Sequence, residues 1–313
     1  MSPINVTTTG SHPPRYKSLE SSIKQAINDQ IKARATVLVD GQLRSDIVGI
    51  FARRIGLMGS GLPYHVRSRI GNLDESVVLP DLRIAAKYAG GHTIKAHITG
   101  PTVMAENCEV DDETPEFYKD ESGFKKLVFD IAEALAKEAR FIASEKDELR
   151  VGYLQIDEPS LSFGADLNLA RDAIKVITDA WKDAGGGPVI LHVCGDYGDI
   201  FLELLGLPVD ILNLEIEHLD ELTDLKIEAL KASGKQLAFG VIPVNTDHVP
   251  TPEKVARDVF YAVDRFGLDL VWGITPVCGM RLSKPELAKK RMNTLSQAVS
   301  ILEGEINASH RGG

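Results

Sequence analysis

His192-Val193-Cys194 follows the apolar run Pro188 to Leu191. Residues two apart on a strand share a face, so an imidazole and a thiol would project together from a strand end. A second thiol, Cys278, ends the run Thr275-Pro276-Val277-Cys278, and a carboxylate, Glu215, ends Ile211-Leu212-Asn213-Leu214. One imidazole, two thiolates and one carboxylate make a tetrahedral zinc set. Thiolates and imidazole suit zinc better than magnesium or calcium, while iron stays open. Glu217 shares a face with Glu215 and competes for the carboxylate position. The four residues are widely separated, so a fold must assemble them, unlike the short knuckles of a zinc finger. His192 and Cys194 alone would read equally well as a satisfied core histidine and a buried cysteine. Cys278 and Glu215 at equivalent strand ends favour the metal.

Two thiolates leave such an ion electron-rich, a weaker Lewis acid toward water but well suited to hold a third thiol as thiolate. The thiolate is the nucleophile, so these ligands point to thiol alkylation rather than hydrolysis. Asp157-Glu158-Pro159 supplies an acid that could accept a substrate ammonium through charge-assisted hydrogen bonds; a helix-capping acid before a proline turn is the plainer alternative. Ser11, after Thr9-Gly10, could hold a carboxylate, and the amide of Gln42, after Asp40-Gly41, could bind a polar group; both also fit ordinary turns. Cys108 lies in an acidic stretch and reads as structural.

The elements that position these residues alternate. Short β-rich runs at 6–10, 35–40, 94–100, 153–157, 189–194, 211–215, 237–244 and 270–276 are separated by stretches with helical period. One such stretch carries Leu127, Val128, Ile131, Leu135, Ala139 and Ile142 after Phe124; another carries Leu169, Ala173, Ile174, Ile177 and Trp181; the last carries Leu287, Met292, Leu295, Val299 and Leu302. Eight such units predict an α/β fold, a single-domain (β/α)8 TIM barrel over residues 1–313, with a polar tail at 304–313 that frays. Active sites of these barrels lie where strands end. Ser11, Gln42, Asp157, His192, Cys194, Glu215, Asn245 and Cys278 all fall there. The loops 58–72 and 105–123, the first carrying Arg67 and Arg69 and the second strongly acidic, are expected as irregular segments on that face, as a lid or docking surface.

Composition narrows the function classes. The chain has 313 residues, 43% of them hydrophobic, enough for a large core, and a formal charge of −10 that argues against nucleic acid and anionic membrane surfaces. Three cysteines make a poor disulfide framework and fit a reducing, cytoplasmic setting. The short polar start reads as carrying no secretory signal. No apolar run approaches the roughly 20 residues of a membrane helix.

Taken together and in order, Thr7-Thr8-Thr9-Gly10-Ser11 with Pro13, Thr99-Gly100-Pro101, Gln155-Ile156-Asp157-Glu158-Pro159, His192-Val193-Cys194, Asp210 to Glu215, and Pro276-Val277-Cys278-Gly279 resemble the catalytic domain of cobalamin-independent methionine synthase, in its short core form. The resemblance runs nearly end to end. It implies a zinc-dependent barrel that methylates homocysteine sulfur, with His192, Cys194, Glu215 and Cys278 on zinc. Ser11 and Asp157 would then hold the amino-acid end, and Gln42 would stand where long members use a glutamate. Long members also carry a tryptophan that stacks on the folate pterin and a histidine that acts as general acid; by register this chain has Asn107 and Asn245. Folate's methyl leaves from an amine nitrogen that must be protonated, whereas cobalt(I) departs without a proton. The short core members resemble the chain in this and are associated with methylcobalamin or a methylated corrinoid protein, so the resemblance implies that donor. The nearest rival is a zinc alkyltransferase using another thiol, such as coenzyme M, with Arg67 and Arg69 available to its sulfonate. A barrel glycosidase using Asp157 or Glu158 with Glu215 is a more distant rival, and zinc as a structural staple is another.

Overall fold

The computed structural model describes residues 4–71 and 73–309, with side chains to residue 305. Eight parallel strands form one sheet: β1 (Asn5–Val6), β2 (Val37–Leu38), β3 (Thr93–Thr99), β4 (Val151–Asp157), β5 (Val189–His192), β6 (Ile211–Glu215), β7 (Gln236–Ile242) and β8 (Val271–Pro276). Each falls on one of the eight runs read from the sequence. The strands pair in the order β2-β3-β4-β5-β6-β7-β8-β1. The two ends of that order meet at a thin seam. Thr36 N–H donates to the Val6 carbonyl at 2.9 Å, and Thr36 Oγ1 accepts from Val6 N at 2.9 Å. The sheet is thereby rolled into a (β/α)8 barrel of a single domain.

A helix follows each strand: α1 (Leu19–Lys32), α2 (Leu79–Tyr88), α3 (Gly123–Leu149), α4 (Leu167–Asp183), the short α5 (Phe201–Leu205), α6 (Asp224–Ser233), α7 (Pro252–Phe266) and α8 (Pro285–Ser309). Their starts follow capping chemistry. Asp166 accepts from the N–H groups of Asn168 and Leu169 ahead of α4, and Thr251 accepts from Lys254 ahead of Pro252 on α7. The periodic faces pack inward as expected, with Leu127, Val128, Ile131, Leu135, Ala139 and Ile142 of α3 buried; Phe124, in its first turn, stays 44% exposed. Among the described residues no helix is long and apolar enough to cross a membrane.

The barrel interior is layered. Val37, Ile190, Ile211, Ala238 and Trp272, near the strand starts, form an apolar plug separate from the main core. Further along the strands come buried polar side chains, Lys95, Gln155, Asn213 and Thr275, and then Asp157 and His192. Polar groups at this depth need partners, and these partners shape the strands.

Two expectations are corrected. The first two strands are shorter than the runs 6–10 and 35–40, because side chains take their ladder groups. Lys95 Nζ donates to the Thr8 carbonyl, and His97 and Gln155 both reach the Thr9 carbonyl. The Gln30 amide brackets the backbone N–H and carbonyl of Val39. The two long loops are not irregular throughout: Leu57–Met58, Tyr64–Val66 and Cys108–Glu109 pair into a small three-stranded sheet. Of the tail expected over 304–313, the backbone to Ser309 belongs to α8, and 310–313 lie outside the described residues.

Candidate active site

The C-terminal ends of the strands gather the chemistry. β4 and β5 place Asp157 opposite His192, β5 and β6 place His192 opposite Asn213, and β6 and β7 place Glu215 opposite Gly240. His192 Nε2 lies 2.9 Å from Cys194 Sγ, and Cys194 Sγ lies 3.6 Å from Cys278 Sγ. His192, Cys194 and Cys278 thus form one cluster, each offering a ligand atom within 4.8 Å of the others. Gly195, at φ +80°, reverses the chain directly after Cys194, a backbone conformation that glycine adopts without strain. Its N–H donates to Glu215 Oε1 at 2.6 Å. Glu215 therefore faces the Cys194 turn and stands outside the three-residue cluster, grouped with Glu217 and His218.

The donor set fits zinc. Two sulfurs on one zinc at 2.3 Å stand roughly 3.8 Å apart along a tetrahedral edge, close to the observed sulfur separation. The imidazole is oriented for the task. Asn213 Nδ2 donates to Ala238 O at 3.2 Å and Thr275 Oγ1 at 3.1 Å, which leaves its Oδ1 to accept from His192 Nδ1 at 2.8 Å. That bond fixes the tautomer and turns Nε2 toward the thiols, the usual support for a ligating histidine. Asn213, 2% exposed, was not singled out from the sequence; a carboxamide within an apolar run was the available signal.

The electrostatics already favour one thiolate. The Cys194 thiol's hydrogen bond, opposed by burial and helped by His192, brings Cys278 down to about 4. The same hydrogen bond, together with burial, pushes Cys194 up. Burial pulls His192 down, but Cys278, Asp157 and Asn213 outweigh it and hold the imidazole above its ordinary value.

Ser11, Gln42 and Asp157 border the cluster. The carbonyl of Ser11 accepts from Met280 N at 2.7 Å, which sets Ser11 beside the Cys278 segment. Gln42, buried and held at φ +45°, donates from Nε2 to Asp157 Oδ2 at 3.3 Å. Burial raises Asp157, while His192, Gln155, Gln42 and Lys95 oppose that rise. Glu158 faces elsewhere: its carboxylate accepts from Thr102 N and Val103 N, and burial pushes it up to about 8. The glycosidase pairing through Glu158 loses its geometry. Arg67 and Arg69 are occupied too, Arg67 by Asp111 at 2.8 Å and Glu113 at 3.0 Å, and Arg69 by Asp130 at 3.2 Å. Cys108 donates to Met104 O within the small sheet, and burial raises it to about 12, in keeping with a structural thiol. A cavity of about 660 Å³ lies between the segment after β6 and the start of α7, bordered by Gly240, Val241, Val277, His248 and Tyr261 and by none of the cluster residues.

Residues 6–300 match the family described as cobalamin-independent synthase, catalytic domain. The chain belongs to that family. It is 31% identical over 295 residues to a methionine synthase of Methanothermobacter marburgensis, covering 91% of this chain and 90% of that one. It is 28% identical to a methionine synthase of Methanocaldococcus jannaschii, covering 92% and 91%. Among solved structures, a B12-independent methionine synthase from Shewanella sp. W3-18-1, in complex with selenomethionine, superposes with a TM-score of 0.78 at 21% identity, over 97% of this chain and 99% of that one. Family membership makes the chain an enzyme of the methionine synthase group, a methyltransferase.

Proposed function

We propose that the chain is a zinc-dependent methyltransferase that converts homocysteine to methionine. The observation that carries this reading is the cluster of His192, Cys194 and Cys278 at the end of a methionine synthase barrel, its imidazole aimed by Asn213. Zinc on these residues would supply the Lewis acidity that keeps a substrate sulfur deprotonated near neutral pH. Glu215, held by the Gly195 N–H, would serve as the fourth ligand when zinc is bound. Asp157 accepts the substrate ammonium, Gln42 steadies the Asp157 carboxylate, and Ser11 takes the substrate carboxylate. The Asp157 carboxylate also separates homocysteine from coenzyme M, which has no ammonium to offer it.

For the methyl donor we infer methylcobalamin or a methylated corrinoid protein. The reading draws on two positions. Asn107 donates to Val103 O at 2.8 Å and offers no aromatic face. Asn245, exposed after β7, carries no acidic proton. The family's description as cobalamin-independent pulls toward methyltetrahydrofolate, and one observation gives that reading a foothold. His248 borders the cavity together with Val277, next to Cys278, and an imidazole there could protonate the departing folate nitrogen.

The test is a paired assay on zinc-loaded protein with homocysteine, offering methylcobalamin in one arm and methyltetrahydrofolate in the other. Methionine from methylcobalamin alone supports the corrinoid donor. Methionine from folate that is lost in His248→Asn overturns it. Methionine from neither, with zinc bound, points to a protein-held corrinoid, and a methylated corrinoid protein is then the donor to add.

A further inference from the structure

Lys95 lies on β3 inside the barrel at 1% exposure, and among the described residues it is in no ion pair. A buried ammonium without a direct counter-charge is costly, so its placement calls for an account. Its Nζ makes two bonds, to Thr8 O at 2.8 Å and to Gln155 Oε1 at 2.5 Å. The second bond decides which way the Gln155 amide points. With Oε1 on the ammonium, Nε2 faces two acceptors, Thr9 O at 2.7 Å and Asp157 Oδ1 at 2.5 Å. A flipped amide would set oxygen against oxygen at both. Lys95 makes no hydrogen bond to Asp157 itself: its charge acts on that carboxylate through space, and its hydrogen-bonded link runs through this amide. Through Thr8 and Thr9 the same two side chains also hold the backbone that leads to Ser11.

We propose that Lys95 is a positioning residue for substrate recognition: through Gln155 it aims the Asp157 carboxylate, and through Thr8 and Thr9 it sets the Ser11 loop, so that both ends of an α-amino acid are read from one buried cation. This rests on the reading of Asp157 as the acceptor of the homocysteine ammonium. A residue with a purely structural role would weaken binding of every thiol alike. Lys95 acts instead most strongly on thiols that carry an α-ammonium and less on those that carry the carboxylate alone.

The experiment is calorimetric binding to zinc-loaded protein of L-homocysteine and of its des-amino analogue, 4-sulfanylbutanoate, for wild type, Lys95→Met and Gln155→Leu. Wild type should prefer homocysteine by about tenfold or more, the scale of one charge-assisted contact. Lys95→Met should shrink that preference at least about fivefold, and the analogue, which keeps the carboxylate that Ser11 takes, should weaken by a smaller factor than homocysteine. In turnover KM should rise and kcat stay close to wild type. Gln155→Leu breaks the same relay one link later and should behave alike, which keeps the test alive if Lys95→Met does not fold. An undiminished preference in either folded variant overturns the inference. A wild type with no preference overturns the ammonium reading of Asp157 itself, and the inference with it.

Discussion

Two sulfurs 3.6 Å apart differ in their hold on a proton, Cys278 low and Cys194 high. Replacing either should cost the metal more than the fold, since both are only partly buried at strand ends. Cys278→Ser is expected to lose stoichiometric zinc, read by atomic absorption, and to lose methionine formation, while Tm moves by only a few degrees. Collapse of the fold would instead identify the ion as a staple. Asn213→Leu should weaken zinc by about 10–100-fold in chelator competition, because His192 loses the acceptor that fixes its ring. Unchanged affinity would reduce Asn213 to a packing residue. The ligand types were legible because thiols and an imidazole at strand ends are chemically conspicuous. Asn213, Gln155 and Lys95 were not, since each is one polar residue in a strand, and only its cross-strand partners show its role.

The strands themselves were legible from apolar runs, but their ends were not. β1 stops at Val6 because Lys95, His97 and Gln155 occupy the carbonyls of Thr8 and Thr9, and side chains from other strands leave no mark on local pattern. The small sheet was missed for a related reason. Its strands are two or three residues long, too short for alternation to register, and Tyr64 meets Cys108 across 44 positions of sequence. One close approach between elements is testable. A Cβ added at Gly240 would sit 2.7 Å from Val277 Cα, on the backbone that delivers Cys278. Gly240→Ala should therefore destabilise the protein by about 1–3 kcal/mol in urea unfolding and also weaken zinc. A variant with unaltered stability and metal affinity would show that β7 and β8 can part at no cost.

At the scale of the whole molecule, buried acids set a pH slope. Burial, with Asp81 nearby, raises Asp40 to about 7, and burial raises Glu158 to about 8. An acid whose folded pKa exceeds its unfolded one keeps a proton that the unfolded chain gives up. Stability from these two groups is thus full below their unfolded pKa values and is lost as pH rises through the folded ones. Cys278, held low in the fold, and the buried His12 pull the other way as pH rises, so the check is a difference: in the presence of chelator, which removes the pH dependence of metal binding, Glu158→Gln should gain Tm relative to wild type as pH rises from about 5 to 8. A slope unchanged by the substitution would assign the effect to other groups.

The seam between β1 and β2 gives the barrel the character of a ring with a clasp. Seven of its joints are strand ladders, and the eighth rests on Thr36 with Asn5 and Val6, and beyond them on His12 N–H donating to Gly41 O at 2.8 Å. Native-state hydrogen exchange should find the Val6 and Thr36 amides among the first in the sheet to open. Ser11 follows one side of this clasp and Gln42 the other. An amino acid lying across both would fasten the ring as it binds, so that the molecule recognises its substrate and locks its own circumference in a single event.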